Sequence, residues 1–312
     1  MIINVGGRTD IVNYYTPWLI NRLNEEYVIT RNPYNHNQLT RYDLSPSEVD
    51  AIIFCSKNYK PILEHMPVIE KNYSLFCYYT ITAYDKTIEP KVPDIDESIE
   101  TLKDLSHIIG KEKISWRYDP ILFTEKYSID EHFKCFEYIT SKVHKHISFS
   151  VFSFVDMYNK VFKNMPEILG FKEDEKHQIL TGLIKIANKY NMPLQSCAVS
   201  NEYEKYGIRK SGCVTSKILE DSNNITFKKI KHRGMRNGCT CLPWRDIGEY
   251  DTCLNGCKYC YANKRPDIAE KKYRKHNPKS PILIGNVNKM DKINNAKQSS
   301  FLKFDSKQQR LI

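Results

Sequence analysis

The 312-residue chain has no uninterrupted apolar run of the roughly 18–20 residues that a membrane helix needs, so no spanning segment is expected. Its first residues, "MIINVGGRTD", lack a basic stretch followed by a long apolar run, so a secretory leader is not expected and a cytoplasmic location is. No G-x-G-x-x-G follows a strand-like run, which counts against dinucleotide binding. There is no P-loop and no G-x-S-x-G elbow, so nucleotide triphosphatases and serine hydrolases have little support. The nine histidines form neither H-x3-H nor H-E-x-x-H; His144 and His146 alternate ahead of a strand and read as surface groups.

Cysteine, by contrast, is plentiful, at ten residues. In a reducing compartment a disulfide framework is not expected. Cys55, Cys77, Cys135 and Cys197 lie in apolar segments and read as core residues. Cys239, Cys241, Cys253, Cys257 and Cys260 instead crowd into residues 239–260. Clustered thiols of this kind point to a metal. Zinc sites use paired cysteines separated by a longer loop; one such set survives here, Cys239-x-Cys241 with two of the later three. The run "TCLNGCKYCYAN" (252–263) gives three thiolates at C-x3-C-x2-C, which suits a [4Fe–4S] cubane better. A fourth ligand is missing from the run: it is Cys239, Cys241 or Cys213, or the position is left open.

Charge is uneven. The net charge is +10, yet residues 226–312 hold 20 Lys/Arg against 7 Asp/Glu, leaving residues 1–225 slightly acidic. The basic part is the part with the cysteines. It suits an anionic cluster, with Arg245 and Lys258 offsetting its charge. It also leaves room for nucleic acid, since tyrosine reaches 21 residues and can stack on bases, although no recognised nucleic-acid motif is present.

Six apolar runs predict strands near 2–5, 51–55, 74–82, 113–118, 147–155 and 194–199. Helical patterns lie between them, near 59–72, 95–110, 128–142, 157–168 and 174–190, with Thr16 expected to cap an early helix ahead of Pro17. "YVITRNP" and "QLTRYDL" predict a small hairpin across "YNHN". Strand–helix alternation argues for a parallel sheet, hence an α/β fold: a partial TIM-like (βα)6 barrel, with a doubly wound open sheet as the rival. Residues 1–200 are assigned to the barrel, 201–285 to a basic cysteine-rich segment packed on it, and 286–312 to a flexible polar tail. Polar residues gather just past the strand ends: Arg8, Thr9 and Asp10, Lys57 and Asn58, Thr80 and Thr82, Arg117 and Asp119, and Asp156. Sites in parallel α/β folds are built at that edge, and Arg8, Asp10, Arg117, Asp119 and Asp156 lead the expected cavity lining.

C-x3-C-x2-C with an aromatic residue before the last cysteine resembles the motif of the radical S-adenosylmethionine superfamily. That resemblance implies a [4Fe–4S] cluster on Cys253, Cys257 and Cys260 whose open iron takes S-adenosylmethionine. It places Tyr259 near the adenine, and it implies an external electron donor such as flavodoxin or ferredoxin. The superfamily's cysteine loop normally follows the first barrel strand; here it follows the last recognisable one. Either the loop folds back over the barrel mouth or the core is rearranged. "GGRTDIVNYY", "RNPYN", "SPSEVDAIIFCSKN", "WRYDPI", "SFVDMY" and "RDIGEYDTCLNGCKYCYAN" together resemble the bacterial domain-of-unknown-function family eighteen forty-eight over residues 1–285. That family is described as radical-S-adenosylmethionine-like, and it implies no substrate. The alternative function is a non-catalytic zinc or iron–sulfur protein with a basic surface for nucleic acid or a partner.

Overall fold

A computed structural model describes residues 1–196, 201–231 and 239–303. The strands are β1 (Ile2–Val5), β2 (Tyr27–Arg31), β3 (Gln38–Asp43), β4 (Ala51–Ser56), β5 (Leu75–Thr80), β6 (Ile114–Ile121), β7 (Phe149–Phe154), β8 (Leu194–Ser196), β9 (Arg209–Lys210), β10 (Trp244–Asp246) and β11 (Lys292–Asn295). The helices are α1 (Ile11–Tyr14), α2 (Thr16–Asn24), α3 (Met66–Asn72), α4 (Ile95–Ile109), α5 (Ile129–Val143), α6 (Asn159–Asn164), α7 (Glu173–Lys189), α8 (Ser216–Ser222) and α9 (Pro266–Tyr273).

Among the described residues eight strands form one sheet in the order β10-β1-β4-β5-β6-β7-β8-β9, every pair parallel. The six expected strands occupy its centre. β9 and β10 extend it at the two edges and come from residues after 200, so that stretch does more than pack on the sheet; it completes it. The end of the sixth expected strand, with Cys197, lies outside the described residues. β2 and β3 pair antiparallel as expected, and β11 adds to β3 in parallel.

Alternation along the parallel strands separates two faces. Ile3, Val5, Ile52, Phe54, Leu75, Tyr79, Ile114 and Trp116 face the main core. The amphipathic helices cover it: α4 turns in Ile99, Leu102, Leu105 and Ile109, and α5 turns in Phe136, Ile139 and Val143. α4 carries Asp96 and Glu97 in its first turn and ends at Gly110, whose φ of +83° continues no helix. Ser128 caps α5 by accepting from Glu131 N at 3.3 Å. On the opposite face Ile2, Ala51, Ile53, Phe76 and Val151 are covered by Leu219 of α8, Phe227, Cys241, Leu242 and Leu302. That cover reaches the early residues of the strands. The later positions on this face, Asn4, Arg117, Asp119 and Ser153, are polar, while Cys55 packs at the edge of the apolar cluster.

Two expectations are corrected. Thr16 does not cap α2 with its side chain: it is already the first residue of that helix, Tyr15 stands at the cap position, and the Thr16 hydroxyl donates back to Val12 O at 2.6 Å. The polar stretch from 286 is docked through residue 303. β11 pairs with β3, Leu302 is buried, and Ser300 Oγ and Phe301 N donate to the buried Asp50 at 2.7 and 2.8 Å. Residues 304–312 of the expected tail lie outside the described residues.

Candidate functional site at the cysteine loop

β1 ends in Gly6-Gly7, and both glycines are forced by close approach. A Cβ on Gly6 would stand 2.2 Å from Cys55 O, and one on Gly7 2.3 Å from Asp246 Oδ2. The chain then turns into α1 through Asp10. One Asp10 oxygen accepts from Asn13 N at 3.1 Å and Ser56 Oγ at 2.6 Å; the other accepts from Lys57 N at 3.1 Å and Asn255 Nδ2 at 3.0 Å. Burial pushes this carboxyl up, against those four donors. Asp10 is therefore a fastener between the ends of β1 and β4 and the cysteine loop.

The loop is held from several sides. Asn255 Oδ1 accepts from Asn13 Nδ2 at 3.2 Å and Tyr14 Oη at 2.9 Å, and Tyr15 Oη donates to Thr252 O at 2.7 Å. Tyr261 Oη donates to Gly7 O at 2.5 Å. Lys160 of α6 donates to Cys260 O at 2.5 Å, and Asn164 Nδ2 to Lys258 O at 3.0 Å. Within the loop Asn263 Nδ2 donates to Cys253 O at 2.5 Å, and Gly256 supplies a φ of +74° between the first two cysteines.

Cys253 is buried, and Cys257 and Cys260 are half-buried. Burial raises the Cys253 and Cys257 thiols; after burial, Asp10 and Cys260 add to the rise at Cys253, while Glu89, Cys260 and Cys253 add to it at Cys257. The three sulfurs thus share one neighbourhood. Lys57 works against the rise at Cys257. Its own ammonium is opposed by burial, but Glu89 and Cys257 hold it charged. Lys57 Nζ donates to Glu89 Oε1 at 2.8 Å, and the same oxygen accepts from Thr82 Oγ1 at 2.7 Å and from Tyr259 Oη. Lys57 Nζ also lies 5.9 Å from the centre of the Tyr259 ring, whose other neighbour is Tyr84 at 5.8 Å.

The other sequence-predicted residues divide. Arg117 pairs with Asp119, which also accepts from Ser153 Oγ; Arg117 Nη1 donates to Cys55 Sγ at 3.5 Å. Arg8 lies over the Tyr250 ring at 5.5 Å and is the main charge opposing the burial that raises Asp246 to about 6. Asp156 is exposed and accepts from Tyr158 Oη at 3.2 Å. Arg245 is exposed on β10, and Lys258 faces Glu167 at 3.8 Å, so the cation acting on Cys257 is Lys57 instead. Cys213, Cys239 and Cys241 pack in the apolar cluster on early strand residues, with Val214 N donating to Cys241 Sγ at 3.4 Å, apart from the cysteine loop. Asn255 and Glu89 escaped sequence reasoning. Asn255 sat inside the motif but only its sulfurs carried a spacing signal, and Glu89 is one acid among several in a loop.

Among the described residues no three Cys, His, Asp or Glu side chains gather as ligands of a single metal ion. A cubane makes a different demand, since each cysteine binds its own corner iron. Burial holds the Cys253 and Cys257 thiols protonated, and a positively charged metal core beside them would favour their thiolates. Asn4 Oδ1 and Thr9 Oγ1, buried at the same edge, find no hydrogen-bond partner among the described residues. Cys253, Cys257 and Cys260 thus belong to one loop at the sheet edge, with these two unpartnered polar groups at the same edge.

Fold and site define an α/β protein with a cysteine loop lying across the C-terminal edge of a parallel sheet. The chain belongs to the family described as Domain of unknown function (DUF1848), whose profile matches residues 2–262. No curated protein matches it. Among solved structures it is similar to the HpcH/HpaI aldolase from Desulfitobacterium hafniense DCB-2, at 9% identity and a TM-score of 0.26, over 78% of this chain and 85% of that one. Among the described residues no helix is long and apolar enough to cross a membrane.

Proposed function

We propose that the chain is a radical S-adenosylmethionine-type enzyme built on a partial barrel, with Cys253, Cys257 and Cys260 holding a [4Fe–4S] cluster. The observation that carries this reading is the seat of the cysteine loop. Asn255 bonds to Asp10, Tyr261 to Gly7 and Tyr259 to Glu89, so the loop lies on the sheet edge where α/β sites are built. Sheet order also supports it. The strand before the loop, β10, comes late in sequence but stands at the edge of the sheet beside β1. The loop therefore leaves the first strand in space, as in the superfamily, and the departure lies in chain order. Cys213, Cys239 and Cys241 pack elsewhere, which favours an open iron.

The chemistry such a cluster supplies when bound is one-electron reductive cleavage of the sulfonium carbon–sulfur bond of S-adenosylmethionine, the electron coming from an external carrier such as flavodoxin or ferredoxin. The chain's own residues hold that site. Glu89 fixes the Tyr259 hydroxyl, so the ring presents a set face for an adenine. Lys57 offsets the negative charge of the thiolates. Lys160 and Asn164 tie down the Cys260 and Lys258 carbonyls from outside.

Anaerobic purification with assay of iron, sulfide and zinc tests the reading, followed by a strong reductant with S-adenosylmethionine and detection of 5′-deoxyadenosine. Iron and sulfide in a cubane ratio, lost in Cys257→Ala, are expected. Zinc without sulfide overturns the reading in favour of a non-catalytic zinc protein, and full iron in Cys257→Ala overturns the ligand assignment.

A further inference from the structure

We propose that the outer face of α6 is the docking surface for the one-electron carrier, a small acidic protein, and that the electron enters through Cys260; this rests on the radical-enzyme reading. The cysteine loop is tied to the body of the protein on its inner sides. Asn255 is bonded to Asp10 and Tyr14, Tyr259 to Glu89, and Tyr261 to Gly7. On the outside α6 lies against it. Lys160 Nζ donates to Cys260 O at 2.5 Å and Asn164 Nδ2 to Lys258 O at 3.0 Å. The first of these bonds joins the helix to the backbone of a proposed cluster ligand. A carrier seated on α6 therefore faces Cys260 across one short helix.

The helix is apolar on both sides. Val161 and Met165 turn inward and pack with Tyr84, Leu122 and Tyr127. Outward it shows aromatic rings where a solvated face would be polar. Tyr158 is 52% exposed, and Phe162, four residues on and so on the same side, is 50% exposed. Phe162 is the one exposed phenylalanine among the described residues. Tyr261, next to Cys260 in the chain, is 63% exposed. Electron-transfer encounters bury little surface, below about 1,200 Å² in total, so a few aromatic rings with a charged rim suffice.

The rim selects the sign of the partner. Residues 156–167 and 252–267 carry Lys160, Lys163, Lys258, Lys264 and Arg265 against Asp156, Glu167 and Asp267. Two of these cations are matched, Lys258 by Glu167 at 3.8 Å and Arg265 by Asp267 at 2.6 Å. The other three are not. Lys160 gives its bond to a neutral carbonyl, which leaves its charge in place, and Lys163 and Lys264 form no ion pair among the described residues. Against these three stands one further acid, Asp156. Exposed rings inside a net positive rim suit an acidic protein, steer its approach and make the encounter sensitive to salt. In the step itself the carrier is oxidised by one electron and the cluster reduced by one; no bond forms and no proton moves between them.

The test follows bleaching of the cluster absorbance in the anaerobic, cluster-bearing full chain by stopped flow. Two reductants are compared: a reduced bacterial flavodoxin, which has to dock, and photoreduced 5-deazariboflavin, which is too small to need a docking face. The double variant Phe162→Ser, Lys163→Glu changes two exposed side chains. It is expected to slow reduction by flavodoxin about tenfold and to leave reduction by the deazaflavin unchanged. Raising the salt to about 0.5 M is expected to slow the wild type with flavodoxin in the same sense. Lys292→Glu on β11, which alters net charge equally but lies on the other sheet, is expected to have no effect. Equal slowing with both reductants, or none with flavodoxin, overturns the proposal. So does a double variant that loses binding of a mixed-sequence single-stranded RNA while flavodoxin still reduces it at the wild-type rate, which would make the face a nucleic-acid surface. Iron and sulfide are assayed on the same samples. A chain that never holds them refutes the radical reading, and the docking face falls with it; a cluster-bearing chain indifferent to the double variant refutes the docking face alone.

Discussion

Asp10 lies 46 residues from Ser56 and 245 from Asn255 in sequence, yet its carboxylate accepts from both. Asp10→Ala strands those donors and two backbone N–H groups in a buried site. A loss of about 3–5 kcal/mol in urea unfolding is expected, with Asp10→Asn losing less. An unchanged midpoint for the alanine variant would show that the four bonds hold nothing together. Sequence position marked Asp10 because it follows a strand, but its work as a fastener was illegible, since its partners are fixed by the fold. His132 shows the same limit. It is fully buried, with its ring nitrogens on Tyr118 Oη at 2.7 Å and Leu122 O at 2.8 Å, and burial lowers it to about 4 from an ordinary value of 6.5. Its folded form binds fewer protons than its unfolded form between those values, so stability falls as pH drops from 6.5 toward 4, by up to about 3 kcal/mol. Asp246, raised to about 6, gives a slope of opposite sign, with stability falling as pH rises from 3.8. The difference between wild type and His132→Gln isolates the histidine; equal pH slopes for the two would remove its role.

At the scale of elements, the central strands were legible because each is a buried apolar run flanked by a periodic helix, the pattern a covered parallel sheet imposes. β9, β10 and β11 were not. They hold two to four residues each, with sequences such as Arg-Lys and Lys-Ile-Asn-Asn, and only register against a formed neighbour makes them strands. The cysteine loop was legible as chemistry from its spacing and illegible as geometry, because β10 was. Its shape depends on Gly256. A Cβ there would meet nothing closer than Pro90 Cγ at 3.6 Å, so Gly256→Ala is penalised by backbone conformation alone. The expected loss is about 1–2 kcal/mol, confined to the loop. Native-state hydrogen exchange should show Lys258 N, which donates to Ile88 O at 3.0 Å, opening faster while the central strands keep wild-type protection. Iron retention in the same variant should fall. A loop with unaltered exchange would mean that the turn tolerates a side chain there.

For the whole molecule, the two sheet faces are closed by different parts of the chain. Helices from residues before 190 cover one, and segments after 213 cover the early half of the other, leaving its later half to the cysteine loop. The basic C-terminal third is thus part of the fold, and some of its charge is already matched, as in Lys272–Glu249 at 2.8 Å and Lys258–Glu167 at 3.8 Å. Its polar composition resembled that of a tail because the docking depends on few residues. Asp50 is buried and accepts from the N-terminal amine at 2.7 Å as well as from Ser300 and Phe301. Leu302 completes the second core, and β11 covers the outer edge of β3. Ending the chain at residue 285 removes all three. Burial of Leu302 contributes about 2 kcal/mol and two of the donors to the buried Asp50 about 1–3 kcal/mol more, so a loss of about 3–5 kcal/mol in urea unfolding is expected. Restoring Leu302 alone cannot be arranged, but Leu302→Ala in the full chain separates the contributions: it should lose about 2 kcal/mol and keep the Asp50 contacts. If the shortened chain unfolds at the wild-type midpoint, residues 286–303 lie on the molecule without holding it.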